Sequence, residues 1–226
     1  MLRKLLTAVG LGTATVSAAA GAYSPYSVEA ANQIYNLLFC DQADAFKPGH
    51  GQKATAWQLV LFSEPLDTAA ALALADDRSQ DGRVRYLAYS RLRQLGQSVT
   101  PKQLLGVIVE MPLGGGLDVL AAYSDGSVRY INQTGEMAIF EGVTPLQPLV
   151  QALFAASEPL VARIGPSDQA RRPPPKLNAV RLTFLVSDGL YFGEGPVSHM
   201  QRDAMAGPVI QRATQLLQAV VSKAAK

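Results

Sequence analysis

Between Leu104 and Glu141 short apolar runs alternate with turn residues, and this rhythm restricts the fold more than any other feature of the chain. LLGVIVEM (104–111) is rich in β-branched residues; Leu117–Tyr123, Ser127–Asn132 and Met137–Glu141 follow at short intervals. Asp125-Gly126, a strong hairpin dipeptide, separates the second run from the third. Gln133-Thr134-Gly135 separates the third from the fourth. The spacing predicts a four-stranded antiparallel meander.

Helical patterns surround it. Val28–Cys40 reads as a short helix. Asp81 opens another, with Val84, Leu87, Ala88, Leu92 and Leu95 on one face and Gly96 at its end. Arg91 falls on that face, where it must snorkel or find an acid. Thr144-Pro145-Leu146-Gln147 has the form of a capping box, and Pro159 is expected to kink or restart the helix that follows, with Ser157 able to cap the restart. After Gly207-Pro208, Val209, Ile210, Ala213, Leu216, Leu217, Val220 and Val221 form a last stripe. Ala56–Phe62 (AWQLVLF) reads as a buried strand, and Ser63 with Pro65 as the start of a helix carrying Leu66, Ala70, Leu72 and Leu74. A second hairpin, Val180–Val186 and Leu190–Phe192, turns at Ser187-Asp188-Gly189. The polar stretch 167–178, with three consecutive prolines, reads as an extended, solvated connector. The hairpin and helix beyond it are too small to stand alone. The expected fold class is therefore α+β: a single domain over residues 28–226, an antiparallel meander sheet packed with amphipathic helices. Its order of elements is similar to profilin-like or longin-like sheets, an analogy of fold alone.

Residues 1–22 stand apart. Arg3 and Lys4 precede an uncharged, moderately apolar run that ends in Ala18-Ala19-Ala20-Gly21-Ala22, the pattern of a secretory signal peptide. Thr7, Thr13, Thr15, Ser17 and three glycines dilute the run, so no stable transmembrane span is expected. The expected location is periplasmic or secreted, with the cytoplasm as the alternative. The 226 residues carry a formal charge of +2, and removing the leader lowers the basic residues from 20 to 18, against 18 acidic ones. The basicity thus belongs to the leader, and no nucleic-acid partner is expected. Cys40 is the only cysteine, which excludes an internal disulfide.

Gly114-Gly115-Gly116 invites comparison with a phosphate loop. A strand rather than a helix follows it, and no lysine occurs until Lys176. Gly193-Glu194-Gly195-Pro196 has the wrong spacing for a dinucleotide fingerprint. No cofactor is expected. His50, His199 and Cys40 show no metal-ligand spacing, so no metal is expected; Asp41 with Asp44, and Asp76 with Asp77, read better as caps and turns than as a carboxylate site. Cys40, ten residues before His50, reads as a small buried hydrophobe rather than a nucleophile. Glu110 and Asp118 could face each other across strands as acid and base. The five arginines from Arg78 to Arg93 read as a solvated helix face, or as a surface for an acidic partner. The densest exposed-looking polar and aromatic positions are Tyr123, Arg129, Tyr130 and Asn132 on the meander, with Tyr191 and Glu194 on the second hairpin. These six are the candidate binding residues, since aromatics beside arginine and amides suit recognition.

The stretches NQIYNLLFCD, LLGVIVEM, LDVLAAYSDGSVRYIN and VRLTFLVSDGLYFGEGP resemble segments of uncharacterised bacterial proteins. The resemblance implies a bacterial source and carries no activity, cofactor or catalytic residue. With no strong catalytic motif present, the expected function is that of a non-catalytic binding or accessory protein of the bacterial envelope, with another protein as partner. The alternative is a hydrolase-type enzyme using strand or loop carboxylates.

Overall fold

Among the described residues four α-helices precede the first strand: α1 (Glu29–Leu38), α2 (Ala56–Leu61), α3 (Thr68–Asp76) and α4 (Gly82–Gln94). The computed structural model describes residues 22–142 and 145–224. All of the expected leader before Ala22, and Thr144 of the expected capping box, lie outside the described residues. The meander follows as β1 (Leu104–Leu113), β2 (Gly116–Tyr123), β3 (Val128–Ile131) and β4 (Met137–Phe140). α5 (Gln147–Arg163) leads to β5 (Ala179–Val186), which pairs with the open side of β1, and β6 (Gly189–Pro196) lies beyond it. A short α6 (Val197–Met200) and a long α7 (Ala206–Ala224) complete the chain. Every pairing in the six-stranded sheet is antiparallel, in the order β4-β3-β2-β1-β5-β6. The single α+β domain expected from the sequence is what forms.

The sheet is covered on both faces, which is why its inner strands are largely apolar instead of alternating. Ile108, Val119, Ala121, Ile131 and Leu185 point toward α1–α4, the first face. Val107, Val109, Leu120, Ala122, Leu182 and Phe184 point toward α5 and α7, the second face. The stripe read on α7 packs there through Val209, Ile210, Ala213, Leu216 and Val220.

Ala56–Phe62 is not a strand. Thr55 and Gln58 form a capping box in which Gln58 Oε1 accepts the Thr55 N–H at 2.9 Å, and a one-and-a-half-turn helix follows. Only Leu61 of this helix is buried, while Leu59 is 65% exposed, so the run never had the two-sided burial that a strand reading assumes. The next helix is capped by Asp67, whose carboxylate accepts from Ala69 and Ala70. Ser63 donates back to Val60 O instead. α3 buries Ala71 and Ala75 rather than its leucines, which lets it lie close against α4. α5 starts at Gln147 without a side-chain cap and continues through Pro159 without a break, so the helix does not restart there.

The arginines of α4 are neither a solvated face nor a free basic surface. Arg85 Nε donates to Ala75 O at 2.8 Å, at the end of α3, and Arg91 Nε to Leu61 O at 3.3 Å, at the end of α2. Arg93 donates to Ser187 O in the β5–β6 turn. Lys102 does the same for α5, donating from Nζ to Val161 O at 2.9 Å and to Ile164 O. The last carbonyls of a helix lack intrahelical donors and carry partial negative charge, so cations are natural caps for them.

Two glycines mark close approaches. Gly116 lies at the tip of the β1–β2 hairpin, where an added Cβ would fall 2.2 Å from Gln133 O. That backbone contact accounts for the last of the three consecutive glycines. Gly82, the first residue of α4, lies against β1: an added Cβ would meet Leu105 O at 2.5 Å and Ser124 N at 3.0 Å. Helix propensity alone favours Ala over Gly by ~1 kcal/mol. Gly82→Ala should nevertheless lower the unfolding free energy by about 1–3 kcal/mol in a urea titration, because the clash is with backbone. A gain in stability would show that α4 does not pack this closely.

Candidate functional site

The polar chemistry of the first sheet face gathers where β1, β5 and β6 run side by side. The strand register places Glu110, Arg181 and Glu194 in one cross-strand row. Arg181 is 4% exposed and Glu110 fully buried. Arg181 Nη2 meets Glu194 Oε2 at 2.6 Å, and Nη1 lies 3.6 Å from Glu110 Oε2. Tyr35 of α1 donates to Glu110 Oε1 at 2.7 Å. Burial pushes the Glu110 carboxyl above its usual value, against the pull of Arg181. Burial likewise pushes the Tyr35 phenol up, and the neighbouring Glu110 adds to it.

Residues 167–178 cross over this row. They are extended, as expected, but not solvated throughout. Arg171 is 8% exposed, with its Nε 2.7 Å from Asp41 Oδ2 and its guanidinium 4.2 Å from the Phe39 ring centre. An extended proline-rich backbone satisfies none of its own carbonyls. Here donors from the domain reach them: Arg181 bonds Arg172 O and Pro173 O at 3.2 and 2.7 Å, and Tyr23 bonds Arg171 O at 2.8 Å. The segment is therefore a strap tied down through its own backbone. Beneath it Arg171, Arg172, Arg181, Thr183, Leu190 and Phe192 surround a space of only about 10 Å³. That volume holds one water molecule at most.

At the outer side of the row β6 is an edge strand. Ser167 N–H donates to Leu190 O at 2.8 Å from outside the hairpin. By the parity of an antiparallel ladder, Phe192 and Glu194 then also turn their N–H and C=O groups away from β5. Ser167 covers one end of that edge; at the other the β5–β6 ladder runs on into α6, where Val197 N–H bonds Asn178 O at 2.9 Å. Among the described residues no backbone group bonds Phe192 or Glu194 from outside.

The six residues read from sequence do not share one surface. Tyr123 and Arg129 lie inside the first face, at 0% and 4% exposure. Tyr123 donates to Leu38 O at 3.0 Å, while Arg129 pairs with Glu141 at 2.9 Å and stacks 5.3 Å from the Tyr123 ring centre. Tyr123 ends β2 and Arg129 lies on β3, and the helical layer closes over both: Arg83 of α4 stands 5.4 Å from the Tyr123 ring centre, and Asp81 at the start of α4 lies 3.9 Å from Arg129 Nη2. Tyr130 and Tyr191 lie on the second face: Tyr130 bonds Asp118 at 2.9 Å, and Tyr191 bonds Asp188 at 2.9 Å beneath the Lys102 ammonium. Burial, then Asp188, pushes the Tyr191 phenol up to about 12. Asn132 shapes a turn, its Oδ1 accepting from Thr134 N and Glu136 N at 2.9 Å. Only Glu194 belongs to the row at Arg181.

Glu110 and Asp118 do not meet either. Glu110 stands opposite Val119, and Asp118 opposite Met111, so the two carboxyls leave opposite faces of the sheet. Cys40 is 2% exposed and burial pushes its thiol up, while His50 is exposed. Asp41 pairs with Arg171, Asp44 with Lys47, Asp76 accepts from Tyr89, and Asp77 caps a turn through Ser79 and Gln80. Sequence reasoning passed over Arg181, Arg171, Arg172 and Tyr35. One signal was present: Arg181 in VRLTFLV is a charge inside a run otherwise apolar enough to be buried on both faces, and such a charge demands partners.

No protein-family model, no curated protein and no solved structure matches the chain.

The raised Glu110 value fixes a sign. The fold binds the Glu110 proton more readily than the unfolded chain does, so this residue's contribution to stability falls as pH climbs from the ordinary carboxyl range through the raised value. Glu110→Gln keeps an acceptor for Tyr35 and removes that loss. In denaturant titrations the variant should gain on the wild type as pH rises from about 4 to about 8. A variant that loses ground over that range would mean the Arg181 attraction outweighs burial.

Proposed function

We propose that the protein is a non-catalytic binding protein of the bacterial envelope, engaging an extended segment of another protein along the open edge of β6. The observation that carries this reading is the outward-turned backbone of Phe192 and Glu194 on a strand that, among the described residues, has no neighbouring strand on that side. Such an edge is a ready template for one more strand. Gly193 and Gly195 favour close approach there, since neither adds a side chain between backbones. The carboxylates that would serve an enzyme are sealed under the strap or separated by the sheet, which leaves the backbone edge as the accessible chemistry. The envelope is supported by the leader-like sequence of residues 1–22. Tyr23 bonds Asn36 Oδ1 and Arg171 O, and cleavage just before it would keep both of these bonds.

A random peptide library displayed on phage and panned against the full chain should return binders that slow hydrogen exchange at the Phe192 and Glu194 amides. Binders that leave those amides unchanged would overturn the reading, as would a panning that yields none. Mass spectrometry of the native protein should find a chain that begins near Gly21 or Tyr23; a chain retaining Met1 would remove the envelope.

A further inference from the structure

We infer that the segment added at β6 carries an acidic side chain, Glu or Asp, that is read by Arg172; this rests on the edge reading above. Arg172 is the one strap arginine whose charge stays unbalanced among the described residues. Arg171 is paired with Asp41, and Arg181 lies between Glu110 and Glu194. Arg172 is exposed and makes no ion pair among the described residues, where its guanidinium donates only to Gln169 Oε1, at 3.4 Å. Its guanidinium is held 5.0 Å from the Phe192 ring centre.

That placement decides what it can read. Phe192 is one of the two residues whose backbone faces the open edge, and its side chain lies on the first face together with the strap. A strand added to β6 would run ~4.8 Å away, with its own first-face side chains in line with Phe192 and Glu194. A guanidinium stacked on Phe192 then stands within reach of the added strand's first-face side chains. It is pre-ordered by the ring and offers a planar fork that fits a carboxylate. The Glu194 carboxylate on the same face is already occupied, its Oε2 accepting from Arg181 Nε at 2.8 Å and from Nη2 at 2.6 Å. The space beneath Arg172 admits no more than a water, so the partner's carboxylate approaches from the edge and not from within. On the second face the added strand would pass over Gly193 and Gly195, floored by Met200, where an added Cβ lies 4.0 and 3.3 Å from that side chain. That floor suits apolar or small side chains at alternate positions. The recognised segment is thus an extended one, acidic on one face and apolar on the other.

The test uses the full chain and four labelled nonapeptides, read by fluorescence anisotropy at low ionic strength. The first alternates Glu with Val; the second replaces each Glu by Gln; the third and fourth are the Glu peptide N-methylated at alternate residues in the two possible phases, so that one of them blocks the hydrogen-bonding edge. The Glu peptide should bind roughly tenfold more tightly than the Gln peptide, and Arg172→Glu should abolish that preference while leaving Gln-peptide binding within about twofold. One N-methylated phase should fail to bind. Equal binding of Glu and Gln peptides, or a preference that survives Arg172→Glu, overturns the acidic partner while the edge reading stands. Glu-peptide binding that tolerates both N-methylated phases overturns the edge reading itself, and absence of binding by every peptide overturns both.

Discussion

The guanidinium of Arg181 is in contact with three other pieces of the molecule. It faces Glu110 on β1 and Glu194 on β6, its own strand lies between them, and it supports the strap through two carbonyls. Through Glu110 and Tyr35 the same row reaches α1. A buried charge of this kind is a poor source of net stability, because desolvation offsets the attraction. What it supplies is position. Each partner satisfies a group that would otherwise be stranded, so strap, helix and hairpin can settle only in the arrangement that serves all of them together. The open edge of β6 inherits that fixity, since the row that ends at Glu194 orients the strand carrying it.

The same economy runs through the basic residues of the helical layer. Arg85, Arg91, Arg93 and Lys102 reach backbone carbonyls at the ends of other elements, so charge that looks like a patch in the sequence acts as internal bracing. Net charge says little about partners in such a protein. The question to ask of each cation is whether a carbonyl or a carboxylate already holds it, and among the strap arginines that question singles out Arg172.

Much of the fold was legible because its signals are local. Asp125-Gly126, the Asp81 cap and the stripe on α7 each depend on a few adjacent residues. Ala56–Phe62 failed because a seven-residue run has no readable period, and the deciding interaction was the Gln58 side chain reaching back to Thr55. The site was far less legible. Tyr123, Arg129 and Tyr191 were judged exposed, and only the helices packed on both faces reveal that they are not. Arg181 meets Glu110 across 71 positions of sequence, and no local pattern records that meeting. Glu194 was the one candidate that fell in the row, as a charge in a strand whose face is determined by parity.

The position of β5 also bears on the order in which the domain can be assembled. β1 forms early in the chain and has β2 beside it at once, but its other side stays bare until Val186 has been synthesised. The strap that closes over Tyr23 likewise arrives only with Arg171. A growing chain can therefore make a helical layer and four of the six strands while β1 still lacks its second neighbour. The domain closes in its last quarter, and until then neither the strap nor the β5–β6 hairpin is there to hold β1 against α1.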